Sequence, residues 1–143
     1  MAMSMFDPSD PKHARALERF GTEIIVWLTT VTPQGQPSTT PVWFWWDGES
    51  FHLYSQPGRP KLRNIEANPR VSLHLQSDEA GEEDVVIVEG RASVEPDAPP
   101  ADRVPAYIDR YRSHLPSYGW TPESFAADYS VGIRVEPTRA RVL

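Results

Sequence analysis

Apolar positions along this chain recur at two spacings, every second residue and every third or fourth, and the switch between them marks out its elements. Asp10-Pro11 reads as the cap and first residue of a helix, with Ala14, Leu17 and Phe20 as an apolar stripe and Gly21 as its close. Residues 24–32 are then dense in β-branched side chains and predict a strand, which Pro33-Gln34-Gly35-Gln36 turns back. A second strand is expected over residues 37–46. Asp47-Gly48 is a type I′ hairpin signal, and a third strand over residues 50–55 alternates Phe51, Leu53 and Ser55 against His52 and Tyr54. Together the three strands read as an antiparallel meander.

Further on, Val71, Leu73 and Leu75 alternate with Ser72, His74 and Gln76 as a half-buried fourth strand. An acidic loop over residues 77–84 separates it from a fifth, residues 85–94, in which Gly90 marks a bend. A Pro-rich loop, residues 96–100, leads to a helix with Asp102 as cap, Pro105 in its first turn, and Val104, Tyr107, Ile108, Tyr111 and Leu115 on one face. Thr121 caps and Pro122 begins another helix, with Trp120 placed to staple against Phe125. A last strand runs over residues 131–135, and residues 139–143 close the chain. No internal repeat or low-complexity segment interrupts the pattern. Five or six closely spaced antiparallel strands with helices at the start and late in the chain predict a small β-barrel with peripheral helices.

Two places break the pattern. Pro37 and Pro41 each delete a ladder donor from the second strand, which predicts a bend near Pro41. That strand carries Ser38, Thr39 and Thr40 ahead of Val42-Trp43-Phe44-Trp45-Trp46, so hydroxyls and flat aromatic surface coincide where a planar ring can lie. The competing reading is that these aromatics are core. The second break is Arg59-Pro60-Lys61-Leu62-Arg63, which opens a helix of about two turns, ended by Asn68-Pro69 as a left-handed stop. Cations at a helix N-terminus oppose the macrodipole unless an anion is shared there. The cluster is therefore either a solvated basic turn or a phosphate site.

Composition narrows the chemistry. At 143 residues the chain is one domain by length, and its formal charge of −6 argues against a broad nucleic-acid footprint. With no cysteine, disulfides, thiolate metal sites and a thiol nucleophile are excluded. No apolar run of about 18 residues and no leader pattern occurs, which makes a cytoplasmic protein the expectation and a membrane partner unexpected. His13, His52, His74 and His114 are scattered, and a metal site would rest on His52 and His74 lying on neighbouring strands. Neither a serine elbow nor a carboxylate pair is evident. An enzyme of this kind takes its difficult chemistry from a cofactor.

The order of Trp27-Leu28-Thr29-Thr30-Val31-Thr32-Pro33-Gln34-Gly35-Gln36-Pro37, Pro41-Val42-Trp43-Phe44, Asp47-Gly48, Tyr54-Ser55, Lys61-Leu62-Arg63-Asn64-Ile65 and Asn68-Pro69 resembles the pyridoxamine 5′-phosphate oxidase-like superfamily. The likeness continues through Val88-Glu89-Gly90-Arg91-Ala92, Thr121-Pro122-Glu123 and the terminal segment, residues 131–141. It looks closest to the branch of deazaflavin (coenzyme F420)-dependent oxidoreductases. The resemblance implies a six-stranded antiparallel split β-barrel, mainly β, working as a homodimer with cofactor clefts between subunits. It places a cofactor phosphate on Arg59, Lys61 and Arg63 with Ser55 nearby, and the ring along Thr39, Thr40, Pro41, Val42 and Trp43. The chain lacks the R-L-x-P ending of the true pyridoxamine phosphate oxidases, which argues against vitamin B6 oxidation. The implied activity is hydride delivery from reduced F420 to an unsaturated organic substrate. The alternatives are an FMN-dependent oxidoreductase on the same fold, or a flavin- or haem-binding module without enzymatic activity. No residue is singled out as catalytic.

Overall fold

The computed structural model describes residues 5–143 as a curled antiparallel sheet with four helices, an α+β split barrel. The strands are β1 (Ile25–Val31), β2 (Pro37–Trp43), β3 (Trp45–Trp46), β4 (Phe51–Ser55), β5 (Arg70–His74), β6 (Val86–Glu95) and β7 (Val131–Val142). The helices are α1 (Pro11–Thr22), α2 (Pro60–Ala67), α3 (Pro105–Tyr111) and α4 (Pro122–Asp128). Seven strands stand where six were expected. The expected second strand is cut at Phe44 into β2 and β3, while the two terminal segments merge into one twelve-residue β7.

The sheet order, β2-β1-β5-β6-β7-β4-β3, overturns the expected meander. The hairpins β1–β2 and β3–β4 do form, but they sit at opposite edges, and the chain crosses from one to the other at Phe44. Phe44 is fully buried, and its N–H donates to the Tyr111 hydroxyl of α3 at 2.8 Å instead of to a strand. The break therefore falls three residues beyond the bend expected at Pro41, which itself stays in register opposite Trp27. An edge strand has a ladder neighbour on one side only, and Pro37 and Pro41, four residues apart, lie on the same side of it.

Local chemistry explains other departures. Asp47 keeps an ordinary backbone and accepts from Glu49 N and Ser50 N through Oδ1, both at 2.7 Å, so the loop is an Asx turn with only Gly48 at positive φ, not type I′. Asn68 ends α2 in extended conformation (φ −146°) instead of left-handed. Asp102 falls in a 3₁₀ turn, and Val104 precedes Pro105 as the start of α3. Helix α1 runs through Gly21 to Thr22, and it buries Ala16 and Phe20 while Ala14 is exposed. At the N-terminus of α4, Thr121 and Ser124 satisfy each other's backbone N–H, and Trp120 meets Phe125 edge-on at 5.4 Å as expected.

Two apolar clusters form. One fills the sheet interior, with Phe20, Phe44, Phe51, Leu28, Leu53 and Leu73 among its buried members. It leaves no space at Gly90, where β6 and β7 slip register: a Cβ there would sit 2.7 Å from the Glu136 carbonyl oxygen. The other lies under α3 and α4, around Tyr107, Ile108, Tyr111, Leu115 and Phe125, with Trp43, Trp45 and Tyr54 packed against it. The cleft described next opens beside this second cluster.

Candidate cofactor cleft

Strand β2 delivers Pro41, Val42 and Trp43 to one wall of a cleft of about 260 Å³, and α2 delivers Lys61. Tyr54 on β4, Tyr107 on α3, Tyr118 and Trp120 on the connection to α4, and Phe125 and Tyr129 complete the lining. The walls are held by ring contacts. Trp43 stacks flat on Tyr111 at 4.2 Å and on Phe125 at 5.3 Å, and the edge of Trp120 meets it at 6.4 Å. Tyr111 is itself anchored, its hydroxyl lying 2.8 Å from the Ile24 carbonyl and 3.0 Å from that of Phe44.

Of the nine positions expected at a cofactor site, the structure brings Pro41, Val42, Trp43 and Lys61 together. Thr39 and Thr40 are exposed on the edge strand outside the cleft lining, where the Thr39 hydroxyl pairs with that of Thr29 at 2.7 Å. Ser55 is buried, and its hydroxyl donates to the Gln56 carbonyl. Arg59 is exposed and donates to the Gln56 side-chain oxygen. Arg63 is exposed, with no hydrogen bond or ion pair among the described residues. The six remaining aromatics of the lining come from segments whose spacing reads simply as core. The density of aromatic residues between 107 and 129 marks out five of them, and nothing in the sequence marks out Tyr54.

The electrostatics are one-sided. Lys61 is half-buried, and its ammonium has no hydrogen bond or ion pair among the described residues. Burial, reinforced by the Arg59 charge, holds its pKa below the ordinary lysine value. No carboxylate lines the cleft. Two of the phenols shift upward: burial raises Tyr54, with help from the Asp102 charge, and pushes Tyr107 well above the usual tyrosine range. Such a site suits a flat, conjugated ring carrying an anion near Lys61. It holds no nucleophile–base pair, so any redox chemistry must come with the ligand.

The expected basis for a metal site is absent. His52 on β4 and His74 on β5 are separated in the sheet by β6 and β7, and no group of three His, Cys, Asp or Glu able to hold a metal occurs among the described residues. His52 instead pairs with Asp47 at 2.7 Å, and His74 stacks on Trp27. Among the described residues, no helix is long and apolar enough to cross a membrane.

Comparison with known proteins bears on this geometry. The pyridoxamine 5′-phosphate oxidase family matches residues 10–143. Among solved structures, an F420 reductase is 31% identical with a TM-score of 0.68, over 87% of this chain and 94% of that one. A conserved hypothetical protein of Mycobacterium tuberculosis is 26% identical with a TM-score of 0.67, over 99% of this chain and 88% of that one. The haem storage protein HutZ of Vibrio cholerae, 20% identical with a TM-score of 0.61 over 90% of this chain and 92% of that one, shares the fold. No curated protein matches.

Proposed function

The chain belongs to the pyridoxamine 5′-phosphate oxidase family, and on that premise we propose that it is a cytoplasmic, homodimeric oxidoreductase that uses reduced coenzyme F420 to deliver hydride to an unsaturated organic substrate. The observation that carries this reading is Lys61, a half-buried cation without a counter-ion at the edge of an aromatic, carboxylate-free cleft. Those residues fit a deazaflavin, a planar ring with a phosphate-bearing tail. Lys61 would hold the phosphate, with Arg59 and Arg63 outside to meet further charge on the tail, and Pro41 to Trp43 would lie along the ring. When bound, the cofactor supplies the hydride. The chain's own part is to anchor the phosphate, orient the ring against Trp43 and keep water from its face. Similarity to an F420 reductase at 31% identity supports F420 over FMN, which the same cleft can also hold.

Titration of the purified protein with F420, FMN and haem tests this directly. F420 is expected to bind most tightly, because three cations exceed the need of one phosphate. Stoichiometric FMN that F420 cannot displace would make FMN the cofactor, and a haem Soret band without binding of either flavin would sink the oxidoreductase reading.

The homodimer is supported by β2, whose residues 37–41 are exposed on both faces at a sheet edge. A cleft of about 260 Å³ also lies at the small end for a site formed by one chain. Light scattering is expected to give about twice the 16.2 kDa chain mass. A strict monomer at tens of micromolar would remove the inter-subunit cleft.

A further inference from the structure

The sequence holds two lysines, and both stand second in a helix, directly after a proline. Their surroundings are opposite. In Asp10-Pro11-Lys12 the cap is a carboxylate, whose Oδ1 accepts from the Lys12 backbone N–H at 2.9 Å, and the lysine is exposed. In Arg59-Pro60-Lys61 the cap is a cation whose side chain makes no bond to the helix, and the lysine is half-buried on the wall of the cleft. The helix dipole is common to both, so it does not distinguish them. Burial, the adjoining Arg59 charge and the lack of a hydrogen bond or ion pair among the described residues all act on Lys61 alone. The other titratable groups that line the cleft, Tyr54, Tyr107, Tyr118 and Tyr129, are phenols, so no carboxylate holds the proton on its amine.

We propose that Lys61 is a nucleophilic amine in the free protein, condensing with the aldehyde of a planar aromatic ligand to form an imine on the wall of the cleft. The reaction needs the uncharged amine, which is the form that desolvation and a neighbouring cation both favour. Its nitrogen adds to the aldehyde carbon, and the carbonyl oxygen then leaves as water with the two hydrogens of the amine, so that a C=N bond remains. Nothing is oxidised or reduced. The aromatic lining supplies the other half of the site, because a flat ring held among Trp43, Trp120 and Phe125 brings its aldehyde to the amine and raises the effective concentration of the reactants. This goes beyond the cofactor reading and does not rest on it. A phosphate held by Lys61 keeps the nitrogen as an ammonium, so the condensation belongs to the free cleft.

The test uses the free protein at neutral pH with salicylaldehyde as the probe, borohydride to trap the imine as a secondary amine, and peptide mapping to read Lys61 against Lys12. The exposed lysine is the internal control. Lys61 is expected to be labelled roughly three- to tenfold faster than Lys12, and the two rates should converge in urea, where the cleft no longer exists. Butanal, which has no ring for the walls to hold, should show a smaller preference. Equal labelling of the two lysines in the folded protein would overturn the proposal, as would a preference for Lys61 that persists in urea or that butanal shows in full. The cofactor reading stands or falls separately, by the titration described above.

Discussion

Lys61→Ala is expected to weaken F420 binding by roughly ten- to a hundredfold while the fold stays intact, because a charge-assisted contact to phosphate is worth about 1.5–3 kcal/mol. The stability half of this expectation follows from the direction of the lysine's pKa. Folding lowers it, so the unfolded chain binds the proton more tightly. The cation therefore opposes folding at neutral pH, and this penalty fades as pH rises through the folded value toward the unfolded one. Removing it should leave the free protein's melting temperature unchanged or slightly raised. Binding of a phosphate has the reverse effect, raising the lysine's pKa and taking up a proton in the window between the free and bound values. F420 affinity should then decline as pH rises through the free-protein value, and Lys61→Ala should lose that decline along with part of the salt dependence. Isothermal titration at several pH and salt values reads all of this. A variant with wild-type affinity and a wild-type pH profile would move the phosphate away from α2.

The largest effect on stability is expected at Tyr111. Its hydroxyl accepts from the buried Phe44 N–H and donates to the Ile24 or Phe44 carbonyl, at the residue where the chain leaves β2 for β3. Tyr111→Phe keeps the ring under Trp43 but leaves that N–H without a partner, at a cost of about 1–3 kcal/mol. For a domain of this size that is a fall of roughly 3–10 °C in melting temperature. Tyr111→Ala also removes the ring stacked on Trp43, and large-to-small changes of this kind cost about 3–5 kcal/mol. Urea and thermal unfolding should rank the variants wild type, Phe, Ala. Cofactor affinity should fall in Tyr111→Ala even where the protein is folded, since Trp43 loses its backing. A Tyr111→Phe variant that melts with wild type would mean that water replaces the hydroxyl at Phe44.

The two predictions differ in how far each residue could be anticipated. Lys61 stands out in the chain because its neighbours are wrong for a helix start, with Arg59, Lys61 and Arg63 crowding the positive end of a dipole. Tyr111 reads as one more apolar position on a helical face, and nothing local reveals that its hydroxyl bonds the strand break at Phe44, 67 residues away. The same contrast holds for the cleft. Pro41, Val42 and Trp43 were legible through a proline anomaly, whereas Tyr54, Tyr107, Tyr118, Trp120, Phe125 and Tyr129 join them from four separate elements. Tyr107 reads as a position on the apolar face of its helix, and only its surroundings show a hydroxyl without a partner.

By itself the sequence determined the properties that depend on neighbours along the chain. Alternation set which faces of β4 and β5 are buried, Pro60 and Pro122 set where α2 and α4 begin, and Thr121 set the cap. Tertiary structure decided what depends on neighbours across space. It split the second strand at Phe44, sent its halves to opposite edges of the sheet, parted His52 from His74 and closed the aromatic cleft. The physical reason is that periodicity encodes which side of an element is apolar, while strand order is chosen by how a twisted sheet curls to bury all those sides together.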